Sequence, residues 1–338
     1  MINAEHDKRY MRRALQLALN GNGHVSPNPM VGAVIVAPDG RIIGEGWHRK
    51  YGGPHAEVNA VDSVSEADKN LLKKSTIYVT LEPCSHYGKT PPCAELLIKC
   101  GIARVVIGAG DPNPRVAGKG ISMLKDAGID VVTGILEAES IALNKKFMTA
   151  HRLRRPFITL KWARSADGFM DVHRSQDEPP ARFSTPLTQQ VVHQRRALHD
   201  AIAVGAGSIL ADNPSLNVRL IAGNNPIPII FDRHGLIDKQ NCKIYDYAIH
   251  ITDKTELKDV LSNLFIEKGI TSILVEGGAG LLKEFINNDL WDEAYEEISP
   301  ETLGNNGCVE APTIEGGICL AKEKCNSINF YSHNFNAF

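Results

Sequence analysis

Apolar positions recur along this chain with two periods, and each change of period marks an element. Met11, Ala14, Leu15, Ala18 and Leu19 follow the spacing of one helix face, so the chain opens with a helix. Met30–Val36 and Arg41–Trp47 are apolar runs joined by Pro38-Asp39-Gly40, a β-hairpin signature. The pattern then predicts a helix over 55–64, a strand over 76–81 and a helix over 92–100 with Pro92 in its first turn. A strand over 104–109, a helix over 117–127 ended by Gly128, a strand over 129–133 and a helix over 137–148 complete the first half. His151-Arg152-Leu153-Arg154-Arg155-Pro156 reads as a solvated linker. Beyond it the alternation restarts, with strands over 157–163, 201–205, 228–231, 249–252 and 272–276. Helices are expected over 186–199, 255–268 and 280–287, and an extended tail after Trp291. Alternating strands and helices imply α/β layers in both halves, divided as residues 1–150 and 151–338.

Composition narrows the function. The 338 residues are 43% hydrophobic and 22% charged, an ordinary globular mixture of two domains, or three. Lys plus Arg number 37 against 39 Asp plus Glu, a net charge of −2, which argues against a nucleic-acid partner. No apolar run approaches the roughly 18 residues of a membrane span. Met1–Asn20 carries charges throughout, unlike a signal peptide, so the chain is expected in the cytoplasm. Seven cysteines, an odd number in a long chain, point to free thiols or metal ligands rather than a disulfide framework.

The strongest chemical signal is His55-Ala56-Glu57, then Pro83-Cys84, then Cys93. One imidazole and two thiolates form a soft donor set that favours zinc over magnesium or calcium. Each ligand falls at a predicted helix start or strand end, where loops gather distant residues. Cys100 lies seven residues beyond Cys93 on the same predicted helix, about 10.5 Å along its axis. Two sulfurs on one zinc lie within about 4.6 Å of each other, so Cys100 reads as a packed thiol. Three ligands leave a fourth position for water, the catalytic arrangement. Glu57, two residues from a ligand, is placed to take and deliver a proton.

This constellation resembles the zinc deaminases of the cytidine deaminase superfamily. Most of them have Pro-Cys-x-x-Cys, whereas here eight residues separate Cys84 from Cys93. That spacer, with Thr80-Leu81-Glu82-Pro83-Cys84-Ser85-His86 before and within it, resembles the deaminase half of the bifunctional riboflavin-biosynthesis deaminase/reductases. Pro27-Asn28-Pro29-Met30-Val31-Gly32, Gly46-Trp47-His48 and Asp111-Pro112-Asn113-Pro114 match the same family, so the likeness covers most of residues 1–150. It implies a diaminopyrimidinone ribosylamine 5′-phosphate as substrate, attacked at the ring carbon bearing the exocyclic amine. Glu57 would carry the proton to the departing ammonia, Asn28 would contact the substrate, and His48 and Lys89 would reach its phosphate. Lys89 equally suits an exposed loop, and histidine after a strand often only caps backbone. His86 would support the loop.

In the second half Val275-Glu276-Gly277-Gly278-Ala279-Gly280 ends a strand and opens a helix, a turn that admits a phosphate but lacks the full dinucleotide fingerprint. Together with Lys161-Trp162-Ala163-Arg164-Ser165-Ala166-Asp167-Gly168 and the run 205–219, it resembles the reductase domain of the same enzymes, related to dihydrofolate reductase. The implied cofactor is NADPH, which would reduce the ribosyl C1′ and open the sugar to a ribityl chain. By this match Ala163, Ser208, Asp212, Gly278, Ala279 and Gly280 would hold the dinucleotide, and Arg196, Leu216, Arg219 and Glu276 the substrate. Arg196 after Arg195 also suits a solvated helix face, and Asp212 before Asn213-Pro214 also suits a turn start. Ser-Ala-Asp-Gly replaces the commoner Ser-Leu-Asp-Gly, and Arg182 stands where the family often has tryptophan.

The fold expected is therefore an N-terminal cytidine-deaminase-like α/β/α sandwich followed by a dihydrofolate-reductase-like α/β domain, with zinc and NADPH as cofactors. The expected partner is a phosphorylated pyrimidine, with no nucleic acid or membrane, and the resemblance implies a homo-oligomer. Alternatives are a deaminase with a degenerate second half, a nucleoside or tRNA deaminase, and a zinc-stabilised binding protein without chemistry.

Overall fold

The computed structural model describes residues 4–87, 91–113, 117–175, 178–316, 318–322 and 326–333. The chain divides into two compact units, 1–153 and 154–338.

The first unit runs α1 (Ala4–Ala18), β1 (Gly32–Val36), β2 (Ile42–Trp47), α2 (Ala56–Asp62), β3 (Thr76–Leu81), α3 (Cys93–Cys100), β4 (Arg104–Ala109), α4 (Lys119–Asp126), β5 (Asp130–Thr133), α5 (Glu137–Leu143) and α6 (Lys145–Leu153). Its described strands form one sheet in the order β2-β1-β3-β4-β5. The β1–β2 hairpin and the β1–β3 pair are antiparallel, and β3, β4 and β5 run parallel. Alternate strand residues serve the two faces. Val34, Val36, Tyr78 and Val106 pack under Tyr10, Met11, Ala14 and Leu17 of α1. Ala33, Ile35, Ile77, Val79, Val105 and Ile107 bury the inward sides of α2, α3 and α4. This is the expected three-layer sandwich.

Two sequence expectations change at the end of this unit. The helix expected over 137–148 breaks at Asn144, whose amide turns away to bond both backbone groups of Met30, each at 2.8 Å. The expected linker is also shorter, because α6 continues through His151 and Arg152 to Leu153. Arg155 is not a solvated linker residue: its guanidinium pairs with Asp292 at 2.7 Å in the second unit.

The second unit runs β6 (Phe157–Arg164), β7 (Phe169–Val172), α7 (Pro186–Ala197), β8 (Ala201–Gly205), α8 (Ala206–Asp212), β9 (Ile227–Phe231), β10 (Ile249–Ile251), α9 (Leu257–Lys268), β11 (Ser272–Val275), α10 (Ala279–Asn287), β12 (Glu293–Ile298), β13 (Gly307–Glu310), β14 (Ile318–Lys322) and β15 (Ser327–Ser332). The main sheet has the order β10-β9-β8-β11-β6-β12-β15-β14. It is parallel from β10 to β12, and β15 and β14 add antiparallel pairs. One face carries α9 and α10 through Leu261, Leu264, Leu282 and Phe285. β7 and α8 were not expected. β7 exists by pairing with β13, 135 or more residues away in sequence, which no local pattern announces. α8 is a single short helix of seven residues in a glycine-rich run.

A buried ionic knot ties the first unit together. Asp7 of α1 accepts hydrogen bonds from Tyr78 of β3 at 2.8 Å and from both Nη atoms of Arg104 of β4 at 2.9 and 2.8 Å. Burial raises the Asp7 carboxyl, but the bonds from Arg104 and Tyr78 outweigh it and hold it below its ordinary value. Removing one partner of such a pair strands the other, so Asp7→Asn is expected to cost the first unit about 3 kcal/mol in urea unfolding. Because the folded carboxyl is depressed, its contribution is complete above the ordinary carboxylate range and is lost as the pH falls through that range and below it. An Asp7→Asn variant as stable as the wild type at neutral pH would contradict this.

Candidate active sites

The first site is assembled where β3 ends. His55 caps the N-terminus of α2 with an extended backbone, and Glu57 follows in the first turn. Cys84 lies just past β3, and Cys93 is the first residue of α3. The backbone N–H of Ala94 bonds the carbonyl of Cys84 at 3.2 Å and that of Cys93 points to the Cys84 sulfur at 3.3 Å, so the two cysteines lock one another in place. His55 Nδ1 stands 3.6 Å from Cys84 Sγ and 3.4 Å from Cys93 Sγ. The three donor atoms all lie within 4.8 Å of one another. That spacing fits donors around one zinc ion, with zinc–sulfur bonds of about 2.3 Å and zinc–nitrogen bonds of about 2.0 Å.

The electrostatics suit a cation and a proton carrier. Cys84 is drawn well below the thiol range by its bonds to Cys93 and His55, while Cys93 is pushed up by sharing with Cys84 and by burial. His55 is raised by its bond to Cys84. Glu57 is buried, and burial together with the neighbouring Cys84 pushes its carboxyl up to about 7. A carboxyl near 7 can both accept and return a proton at neutral pH.

A second group of residues comes from the loop before β1. Asn144 clamps Met30, and two residues earlier Asn28 Nδ2 lies 3.1 Å from His48 Nε2. His48 Nδ1 bonds the carbonyl of Pro54 at 3.0 Å, and its ring meets that of His55 edge-on at 5.4 Å. Burial lowers His48 and favours its neutral form, in which Nδ1–H donates to Pro54 and Nε2 accepts from Asn28. His48 was expected to reach phosphate as a cation. Here both ring nitrogens are used inside the protein, and the histidine holds Asn28. Lys89 lies outside the described residues. His86 is exposed and is not among the grouped donors, and neither is Cys100 at the far end of α3.

The second site follows the C-terminal ends of parallel strands, where open α/β sheets bind ligands. β8 and β11 are neighbours, and each ends in a glycine turn that opens a helix, Gly205 into α8 and Gly277-Gly278 into α10. A Cβ on Gly277 would stand a tight 3.3 Å from the Gly205 nitrogen and 2.9 Å from the tip of Leu281, so the two turns approach closely at Gly277. Ser208 accepts from the Gly278 N–H at 2.9 Å and joins them. Gly280 faces open space, and Ala279 is buried. This bare, amide-rich edge fits a pyrophosphate. Ala163 stands opposite Glu297 near the end of β6. Asp212, expected at the cofactor, receives a hydrogen bond from Arg174.

Beside these turns lies an arginine cluster. Arg196 grips Glu276 through Nε at 2.9 Å and Nη2 at 2.6 Å, and its Nη1 donates to the carbonyl of Asn217 at 3.0 Å. The pair is not a solvated face, since the Arg196 side chain is 12% exposed and Arg195 stacks 3.6 Å over the Tyr295 ring. Arg219 reaches the side chain of the same Asn217 at 3.3 Å, and its N–H bonds His193 Nδ1 at 3.1 Å. Leu216 has a left-handed backbone and a buried side chain packed with Ile202 and Ile230, so it offers the site its main chain.

The sequence reading gave no role to Lys161 or Arg233. Lys161 is in register with Tyr295, and burial lowers its ammonium while Glu276 and Glu297 support it. Its signal was a lysine inside the apolar strand Phe157–Ala163. Arg233 follows β9, spends Nη1 on Glu284 at 2.7 Å, and has Nε and Nη2 buried without a partner among the described residues.

Comparison with known proteins finds two domain matches along the chain. Residues 4–109 match the cytidine and deoxycytidylate deaminase zinc-binding region, and residues 156–329 match the RibD C-terminal domain. The riboflavin biosynthesis protein RibD of Bacillus amyloliquefaciens is 39% identical, over 92% of this chain and 88% of the relative. RibD of Escherichia coli is 36% identical, over 91% of this chain and 92% of the relative. The structure of Acinetobacter baumannii RibD superposes with a TM-score of 0.85 at 32% identity, covering 97% of this chain and 98% of that one. A diaminohydroxyphosphoribosylaminopyrimidine deaminase/5-amino-6-(5-phosphoribosylamino)uracil reductase from Thermotoga maritima superposes with a TM-score of 0.83 at 34% identity, covering 97% and 98%.

The ligand geometry makes a direct prediction. Cys84→Ser and Cys93→Ser should each abolish stoichiometric zinc in the purified protein, measured by metal analysis, whereas Cys100→Ser should keep it. Loss of zinc in Cys100→Ser would mean that α3 contributes two sulfurs to a closed, structural site.

Proposed function

This chain belongs to the RibD family of bifunctional riboflavin-biosynthesis deaminase/reductases, and from that premise we propose how its residues divide the two reactions. Its cofactors are Zn2+ and NADPH. The first reaction is hydrolytic deamination of 2,5-diamino-6-ribosylamino-4(3H)-pyrimidinone 5′-phosphate, and the second reduces the ribosyl group of the product to ribityl.

In the deaminase, His55 Nδ1, Cys84 Sγ and Cys93 Sγ would hold the zinc. Zinc supplies Lewis acidity that brings the pKa of a water close to about 7. Glu57 is placed to take one proton from the attacking water and pass it on, so that the two hydrogens of that water end on the departing ammonia and on the ring nitrogen beside the carbon that gains the oxygen. Burial keeps Glu57 away from bulk water, so the proton it carries goes to the substrate. Asn28, held by His48, orients the pyrimidine through its amide oxygen, and Lys89 is our candidate for the substrate phosphate.

In the reductase, Gly278, Ala279, Gly280, Ser208, Ala163 and Asp212 frame the dinucleotide, and Arg233 offers its two unpartnered N–H groups to it. NADPH, when bound, would supply the hydride that C1′ accepts as the sugar ring opens. Lys161 holds the proton destined for the ring oxygen released from C1′. Arg219, and Arg196 through the N–H groups that Glu276 and Asn217 leave over, bind the substrate phosphate, and Leu216 contributes its backbone. Glu276 keeps Arg196 aimed. We further infer a homo-oligomer in the cytoplasm. The described cysteines are free, which suits a reducing compartment, and no described helix is long and apolar enough to cross a membrane.

The observation that carries this reading is the convergence of three zinc donors beside a buried Glu57. The test follows ammonia and NADPH together with the diamino substrate. Glu57→Gln should slow ammonia release by about 10^2 to 10^4-fold with zinc retained, and supplying the deaminated intermediate should restore NADPH oxidation. Lys161→Met should do the opposite, releasing ammonia while NADPH oxidation stops. If Glu57→Gln released ammonia at the wild-type rate, the assignment of its role would be wrong.

A further inference from the structure

One buried carboxylate next to the zinc ligands has no part in the chemistry above. Glu82 is 4% exposed and lies two residues before Cys84, immediately after β3. Its N–H bonds the carbonyl of Ala109 at the end of β4 at 2.9 Å, so its backbone continues the sheet. Among the described residues its side-chain hydrogen bonds all come from backbone donors. Oε2 accepts from Asp111 N at 3.4 Å and Gly118 N at 3.0 Å, and Oε1 from Gly120 N at 3.1 Å and Ile121 N at 3.3 Å. Three of those donors belong to the cap and first turn of α4, where a carboxylate also meets the positive helix end.

The clamp acts on the segment that carries Cys84. A Cβ on Gly120 would stand 2.0 Å from the Pro83 carbonyl oxygen, so only glycine lets α4 press this closely against the residue before the ligand. Cys84 is thus fixed from both sides, by Cys93 and Ala94 on α3 and by Glu82 and Gly120 against α4. Neither α4 nor Glu82 supplies a donor to the metal group.

We propose that Glu82 is a positioning residue for the deaminase: its carboxylate, by collecting four backbone N–H groups, sets the place of the Cys84 sulfur in the zinc site. The proposal rests on the zinc-deaminase reading of the first unit. An amide cannot replace the carboxylate. The Nε2 of glutamine is itself a donor and would face two backbone N–H groups, leaving them buried without an acceptor.

The test compares wild type, Glu82→Gln and Glu82→Asp by zinc affinity in chelator competition. It adds the visible spectrum of the cobalt-substituted protein, which reports ligand geometry, and NADPH oxidation on the deaminated intermediate as a control on the second unit. Glu82→Gln is expected to lose about 10 to 100-fold in zinc affinity, to alter the cobalt bands and to lower deaminase kcat more than it raises KM. Glu82→Asp keeps the charge but has a shorter reach, so it should fall between. Should Glu82→Gln not fold, the aspartate variant carries the same comparison. NADPH oxidation should match wild type throughout. A folded variant with wild-type zinc affinity and cobalt spectrum, even one that melts at a lower temperature, would reduce Glu82 to a helix cap and overturn the proposal. A wild-type protein that binds zinc but releases no ammonia would sink the deaminase reading, yet the zinc and cobalt comparison would still decide the role of Glu82.

Discussion

One histidine nitrogen and two cysteine sulfurs must be held within 4.8 Å of one another, from three separate elements, for the first unit to act. Two sulfurs that can ionise, beside a buried carboxyl, are mutually repulsive in a medium of low dielectric. A divalent cation offsets that repulsion, which is why the arrangement is reasonable for a metal and costly without one. Much of the surrounding fold meets this requirement. The parallel pair β3–β4 delivers Cys84 to the edge of the sheet, α2 and α3 begin at the other two ligands, and α4 closes behind Pro83.

The second unit solves a different problem with the same rule. Parallel strands β9, β8, β11 and β6 end side by side, and Arg233, the two glycine turns, Glu276 and Lys161 gather along or just beyond those ends. Here charges are satisfied by one another. Arg196 and Glu276 neutralise each other in a largely buried bidentate pair, and Asn217 gathers Arg196 and Arg219. A phosphate arriving there meets the Arg196 guanidinium already largely out of water and oriented by Glu276, with the exposed Arg219 beside it, so part of the ordering precedes binding.

The zinc site was legible because its residue types are chemically unusual together. His55, Glu57, Cys84 and Cys93 sit where an apolar period stops, and an ordinary surface would not concentrate them. The sandwich was legible because strands and helices differ in period and each face of the first sheet is filled by one set of alternating residues. What escaped the sequence depends on distant partners. Nothing near Asn144 announces that its amide will hold Met30, and a helix period alone runs straight through it. Arg195 and Arg196 look like a wet helix face until Tyr295 and Glu276, 80 or more residues on, are brought beneath them. His48 looked like a phosphate ligand because its burial and its bond to Asn28 are properties of the folded loop. Glu82 was read only as part of a motif, since its four donors lie well beyond it in sequence.

The central claim is that the first unit holds zinc through one nitrogen and two sulfurs with a position left open for solvent. X-ray absorption at the zinc edge of the purified protein tests it directly. The account predicts two sulfurs at about 2.3 Å, one imidazole nitrogen at about 2.0 Å and one further light atom. Three or four sulfurs around the zinc, or none, would contradict it.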